Sequence, residues 1–370
     1  ALQPGDVVGV TLGARRRLFE IDEVVEADAR QIKARSIDPD VFGRAQGRPR
    51  AGLAHMPPAQ GPLSVQALDL PLIDPDDPQV LTRLAIFADP WPGGATIWRS
   101  DDGDSFTPLT SAPLAAITGI TLDPLYAGPT DVWDNATALQ VKLDGGALAS
   151  LGDAAVLAGG NAVAIEVAAG VWEIVQFAQA ELIGGQTYRL SRLLRGQGGS
   201  DAVMMPMVVA DANVVLLNAA LVPIARGREA LERPLHLRIA PAGRSHDDPA
   251  AIALTLTPQP TALRPLAPVH LRARRDADGV HVSWIRRTRI GGDSWSGEVP
   301  LGEEVEAYDV DVLSGGAIVR SIACSQPQAL YAAADELADF GSPQASLTLR
   351  VAQRSAAIGA GYATQATLAI

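Results

Sequence analysis

The chain has 370 residues, 47% hydrophobic and 19% charged, which excludes a disordered polypeptide and leaves room for two or three packed domains. Its formal net charge of −12 repels a phosphate backbone on balance, so sequence-independent nucleic-acid binding is not expected. The single cysteine, Cys324, excludes an intrachain disulfide and reads as a small buried hydrophobe, and no apolar run approaches the roughly 18 residues of a membrane helix.

Alternation with a period of two dominates the chain and predicts a mainly β, multidomain protein. The first residues run straight into Pro4-Gly5-Asp6-Val7-Val8, as the middle of a domain would, so the expectation is a piece of a longer polypeptide. Strands are expected over 6–12, 17–25 and 30–37, with turns at Gly13 and Ala27-Asp28. Three short strands cannot close a barrel, so residues 1–45 read as part of a β domain completed by preceding sequence or another subunit. Residues 46–64, rich in Gly and Pro, read as a linker.

The middle region, 65–255, contains one expected helix, 78–85. Leu139, Val141 and Leu143 alternate with polar neighbours, and 162–167, 171–178 and 187–194 form an antiparallel meander turned at Ala169-Gly170 and Gly184-Gly185. Residues 146–159 leave helix and strand open, whereas 211–218 and 235–239 add strands. The Gly pairs at 145–146, 184–185, 291–292 and 315–316 sit at hairpin-like positions.

A proline-rich hinge, 256–267, precedes a last domain, 268–370, whose length and short strands suit an immunoglobulin-like sandwich. Trp284 on its second strand and Tyr308 on its third are expected to form its core. The loop between them, with Arg286, Arg287, Arg289, Asp293 and Trp295, is left to face a partner, while Glu303, Glu304 and Glu306 read as a solvated face.

No set of residues converges on chemistry. The sequence lacks G-x-S-x-G, H-E-x-x-H, P-loop and dinucleotide-binding signatures, and its histidines show no metal spacing, so no catalytic, cofactor or metal residue is assigned. Asp101-Asp102-Gly103-Asp104 resembles half a calcium loop but lacks the downstream bidentate Glu, and reads as a hairpin tip between Trp98 and Phe106. Asp131 and Asp134 around Trp133 could bind a sugar, but a core or interface tryptophan is the default. Arg192 and Arg195 lie where a strand enters Gly196-Gln197-Gly198-Gly199, whose glycines permit positive φ or close approach of another surface. Without a following Lys-Ser/Thr and helix this is no phosphate cradle. Salt bridges to acidic neighbours or other subunits are the expected use of these arginines.

Several long strings resemble one family. Trp172-Glu173-Ile174-Val175-Gln176-Phe177, Tyr188-Arg189-Leu190-Ser191-Arg192-Leu193-Leu194-Arg195-Gly196-Gln197-Gly198-Gly199, Ser283-Trp284-Ile285-Arg286-Arg287-Thr288-Arg289 and Gly292-Asp293-Ser294-Trp295 are similar to the large host-specificity or tail-hub protein of gene transfer agents and siphophage-like tails. The resemblance spans most of 1–370 and corresponds to that protein's C-terminal portion. It implies hub-like antiparallel β domains followed by a fibronectin type III-like β-sandwich. It also implies a homotrimer at the tail tip, partnered by other tail and baseplate proteins, a host receptor or glycan, and passing DNA. Such a particle is assembled in the bacterial cytoplasm and released by lysis. Some members carry an N-terminal glycosidase-like barrel; it is not among these residues, so no catalytic residue carries over. One departure is Leu349, where fibronectin type III domains usually have Tyr.

The expectation is therefore a non-enzymatic structural component of a tail-tip hub. The alternatives are a receptor- or glycan-binding module, with Trp91, Trp98, Trp133 and Trp295 as stacking residues, and a fragment of a cell-wall hydrolase without its catalytic domain.

Overall fold

The computed structural model describes residues 1–39, 60–72, 80–225, 227, 229, 231–292 and 299–370. The chain divides into two compact units, Ala1–Pro58 and Ala59–Ile370. In the first, β1 (Val7–Leu12), β2 (Arg15–Glu26) and β3 (Arg30–Ile37) form one antiparallel sheet, with Val8 opposite Phe19 and Phe19 opposite Ser36. Gly13, at φ 64°, makes the first hairpin turn. All three expected strands are present. Ile21 is buried, but Val10, Leu12 and Ile32 on the same side of the pleat remain exposed.

The second unit begins as a sandwich. β4 (Ser64–Leu68) pairs with β5 (Val80–Phe87), and β6 (Ala95–Ser100) pairs with β7 (Thr107–Ala112). The part of the expected helix 78–85 that is described, 80–85, is strand. β5 is the central strand of its sheet, and Thr82, Leu84, Ala85 and Ile86 are all buried. A strand covered on both faces loses its alternation and reads like a helix. The acidic loop at 101–106 is the hairpin tip joining β6 to β7; there Asp102 accepts hydrogen bonds from the Ser100 hydroxyl and the Asp104 and Ser105 N–H groups.

A closed barrel then interrupts the sandwich. It comprises β8 (Thr118–Thr121), β10 (Asp134–Leu143), β11 (Ala162–Ala168), β12 (Val171–Gly184), β13 (Thr187–Leu194) and β15 (Asn213–Leu216), in the closed order β10-β13-β12-β11-β15-β8. Leu139, Val141, Leu143, Val163, Ile165, Val175, Phe177, Tyr188 and Leu190 fill it, in the alternation the sequence shows. The short helix α1 (Asp153–Leu157) lies between β10 and β11. A two-stranded ribbon, β9 (Leu125–Tyr126) with β14 (Met207–Val208), turns Leu125 and Val208 into the barrel core and leaves Tyr126 and Met207 exposed.

After the barrel the chain returns to the sandwich through β16 (Val222–Ala225), β17 (Leu235–Pro241) and β18 (Ile252–Leu256), completing sheets β16-β5-β4 and β18-β17-β6-β7. Leu84, Ile86, Ile97, Ile224, Leu237 and Ile239 form its core. The barrel is thus an insertion in a discontinuous sandwich. A separate apolar cluster joins the two, with Leu68 and Ala85 from the sandwich against Ala164, Trp172 and Val215 of the barrel.

The last domain has sheets β19 (Val269–Arg275), β20 (Gly279–Ile285), β23 (Gln328–Ala332) and β22 (Ala317–Cys324), β21 (Tyr308–Ser314), β24 (Ser346–Ser355), β25 (Gly359–Ala369), plus helix α2 (Ala333–Phe340). Three strands facing four, with the first, second and fifth strands of the domain in one sheet and the others in the second, is the fibronectin type III-like arrangement expected. Trp284 and Tyr308 meet edge to face, ring centroids 5.1 Å apart, in a core shared with Val310, Tyr331, Leu349 and Val351. Leu349 is fully buried, so the apolar side chain serves the packing role at that position. Cys324 is only half-buried.

Two Gly pairs, 184–185 and 315–316, make hairpin turns, whereas 145–146 follows β10 toward α1 and 291–292 lies in the long β20–β21 connection. Among the described residues no helix is long and apolar enough to cross a membrane.

Candidate functional site

The barrel strand β13 delivers two of the arginines singled out from the sequence. Its alternation breaks at Arg192, which takes φ 56°, and the strand ends two residues later before Arg195 and the glycine-rich turn. Arg192 places Nε 3.1 Å and Nη2 2.6 Å from the two carboxylate oxygens of Asp153 in α1. Its guanidinium also lies over the Trp133 ring, 4.6 Å from the centroid. One face of that indole is therefore occupied.

Arg195 is not at a surface. Its side chain is 1% exposed and forms a two-pronged pair with Glu173 of β12, itself 0% exposed, through Nε–Oε1 at 2.7 Å and Nη2–Oε2 at 2.9 Å. Nη1 donates to the Tyr126 carbonyl at 2.9 Å, and the Gly196 N–H donates to Glu173 Oε1. A buried charge pair is tolerated when further hydrogen bonds support it, as the Tyr126 carbonyl and the Gly196 N–H do here. Asp134 also belongs to this group. Burial pushes its carboxyl up, but hydrogen bonds from the Thr137 hydroxyl and the Thr137 and Ala136 N–H groups, with the charge of Arg195, hold it below the usual carboxylate range.

Beyond Arg195, Gly196, Gly198 and Gly199 take φ of 65°, 65° and 87°, the left-handed backbone expected for them. They shape a turn, Gln197–Val203, that bends back onto β12, where the Ile174 N–H donates to the buried Ser200 hydroxyl and that hydroxyl donates to the Gln197 carbonyl. The same turn presents Asp201 to Arg287 of the last domain, with Nη1–Oδ2 at 2.8 Å.

The remaining loop arginines are also engaged within the chain. Arg286 donates to the carbonyls of Pro300 at 2.6 Å and Val299 at 2.5 Å. Arg289 pairs with Glu303 at 3.0 Å, the two side chains 10% and 5% exposed, and reaches the Gly302 carbonyl. Glu303 is thus a buried partner and not part of a solvated face. Glu306 lies 3.8 Å from Arg286 and accepts the Tyr308 hydroxyl at 2.8 Å; burial first, and this acceptor second, raise that phenol's pKa. Asp293 and Trp295 lie outside the described residues.

The expectation of a surface position is corrected for Arg195, and the described arginines all have partners within the chain, as expected for salt bridges to acidic neighbours. Arg195 is sealed in the barrel, Arg192 fastens α1, Arg286 and Arg289 brace their own loop, and Arg287 crosses to the barrel. What the structure brings together is a junction of the glycine turn, the loop after β20 and the proline-rich segment between them. Sequence reasoning missed Glu173, Asp153 and Asp201. Glu173 had a signal: a carboxylate inside the apolar run Trp172-Glu173-Ile174-Val175 must be paired if that run is buried.

Two further stacking candidates are packed within the sandwich, and Trp295 lies outside the described residues. Trp98 packs edge-on against His246 at 5.1 Å, and Trp91 packs against the sandwich core.

Comparison with known proteins gives one family match. Residues 116–215 match the family model described as Rcc01698-like, C-terminal. These bounds coincide with the inserted barrel, β8 to β15, and the match is consistent with the gene-transfer-agent relationship expected from the sequence. No curated protein matches the chain. Among solved structures, the chain is similar to the crystal structure of chicken CNTN1 FN1-FN3 domains at 10% identity, over 84% of this chain and 100% of that one, with a TM-score of 0.20. At that score the likeness carries no argument.

Proposed function

We propose that this chain is a structural component of a phage-like particle, a segment of the tail-tip hub that assembles as a homotrimer, contacts neighbouring baseplate proteins and the host surface, and contributes to DNA delivery. The observation that carries the proposal is the coincidence of the matched family region, 116–215, with one complete folded body, the barrel. A match ending at domain edges reflects a shared module more than a chance string. Serial β domains joined by packed contacts also suit a scaffold, and in this reading the chain itself performs no catalysis.

A glycan-binding reading is less well supported, because a ring face of Trp133 is covered by Arg192 and Trp98 is packed edge to face with His246. The deciding experiment is purification of particles from the source cells, followed by antibody labelling against residues 116–215 in electron micrographs. Labelling confined to one end of the tail supports the proposal. Absence of the chain from particles, together with a strict monomer by light scattering, overturns it.

A further inference from the structure

The segment that reads as a hinge from its prolines is buried along much of its length. Ala262, Leu263, Leu266 and Ala267 are all buried. A hinge needs few buried contacts, because rotation must cost little.

We propose that residues 257–268 form a strap that locks the last domain onto the barrel, keyed by Leu266 seated on Gly199, so that sandwich, barrel and last domain move as one body. The inference goes beyond the particle role and does not depend on it.

Each of the three bodies holds the strap. At the sandwich, the Gln259 N–H donates to Asp69 Oδ2 at 3.1 Å, and the Glu232 N–H donates to the Pro258 carbonyl at 3.3 Å. At the barrel, a Cβ on Gly199 would lie 2.2 Å from Leu266 Cδ2, and Gly199 also takes φ 87°. Glycine is required there twice over, once by backbone conformation and once by the leucine pressed against it. At the last domain, the Tyr362 N–H donates to the Pro265 carbonyl at 2.9 Å, the Thr364 hydroxyl donates to the Pro268 carbonyl, and Arg264 lies over the Tyr362 ring at 5.1 Å. A Cβ on Gly361 would meet Pro265 at 2.7 Å, so this backbone approach also depends on glycine.

The Arg287–Asp201 pair closes the junction from the side. Its barrel half is itself braced, because the glycine turn is bonded to Glu173 and Ile174 of β12. Swinging the last domain would uncover Leu263 and Leu266 and break the strap's hydrogen bonds together. The prolines add to the lock by narrowing the backbone freedom of the segment between contacts.

The test uses the full chain with Cys324→Ala and spin labels at Leu157→Cys in α1 and Leu337→Cys in α2, both exposed positions. Pulsed electron–electron distance measurement is expected to give one narrow distribution. Leu266→Ala is expected to broaden it about twofold and to speed exchange of the Tyr362 amide about tenfold. Gly199→Val should do the same or more; should it fail to fold, Leu266→Ala decides alone. A broad distribution in the parent chain, or unchanged width and exchange in Leu266→Ala, overturns the proposal.

Discussion

Arg195, just beyond the end of β13, and Glu173 of the adjacent strand β12 form a two-pronged ion pair sealed within the chain, at 2.7 and 2.9 Å, between residues 22 apart in sequence. The pair connects three features: β12 through Glu173, the exposed ribbon through the Tyr126 carbonyl, and the glycine turn through the Gly196 N–H. Removing one partner strands the other charge out of water. Arg195→Ala and Glu173→Ala are each expected to cost about 3 to 5 kcal/mol. The double replacement Arg195→Met with Glu173→Leu should recover most of that loss. Calorimetric unfolding of the four proteins checks the order.

Ser200 offers a narrower test of the same turn. Its buried hydroxyl accepts from the Ile174 N–H at 2.8 Å and donates to the Gln197 carbonyl at 2.8 Å. Ser200→Ala leaves that N–H without its partner, at a cost of about 1 to 3 kcal/mol. Hydrogen exchange should show the loss at the Ile174 amide before it appears elsewhere in the barrel.

In the last domain, Trp284 packs edge to face on Tyr308 and is 5% exposed. Trp284→Ala should destabilise this domain by about 3 to 5 kcal/mol through the cavity it leaves, and Trp284→Phe by much less. Denaturant unfolding followed by proton resonances of the domain's methyl groups distinguishes the two variants.

Acid should weaken the last domain through Glu336. The Arg275 guanidinium, bonded to both its oxygens at 2.6 and 2.8 Å, holds this carboxyl below its ordinary value, against the opposing effect of burial and with further help from the Gln344 N–H. With the folded-state pKa below the unfolded value of 4.5, the unfolded chain binds the proton first as pH falls. The stabilisation is therefore fully present above that value and is lost as pH drops through the depressed folded pKa. Arg275→Met should lower stability at pH 7 and flatten the acid limb. Exchange of the Gln344 amide across an acid titration measures both effects.

Much of the fold was legible because strand alternation is local. Leu139, Val141 and Leu143 point inward as their spacing requires, and the hairpin glycines at 184–185 and 315–316 turn where two paired strands demand positive φ. The exception is instructive. β5 lies between β4 and β16, is covered on both faces, and so carries no alternation to distinguish it from a helix.

The candidate site was legible in residue type and not in partnership. The glycines after Arg195 marked a close approach, and Leu266 makes it. The arginines marked ion pairing, but their partners lie 22, 39 and 86 residues away in the chain. No local pattern carries that separation.

By itself, then, the amino-acid sequence determined the β character, most strands and turns, the Trp284–Tyr308 core and the glycine-dependent backbone at 196–199. These follow from steric and hydrophobic rules acting over a few residues. Only the tertiary structure decided that the barrel interrupts a sandwich, that Leu263 and Leu266 of the proline-rich segment are buried, and that the described arginines have partners within the chain. Those outcomes depend on which distant surfaces meet. That depends on packing and charge pairing across the whole fold.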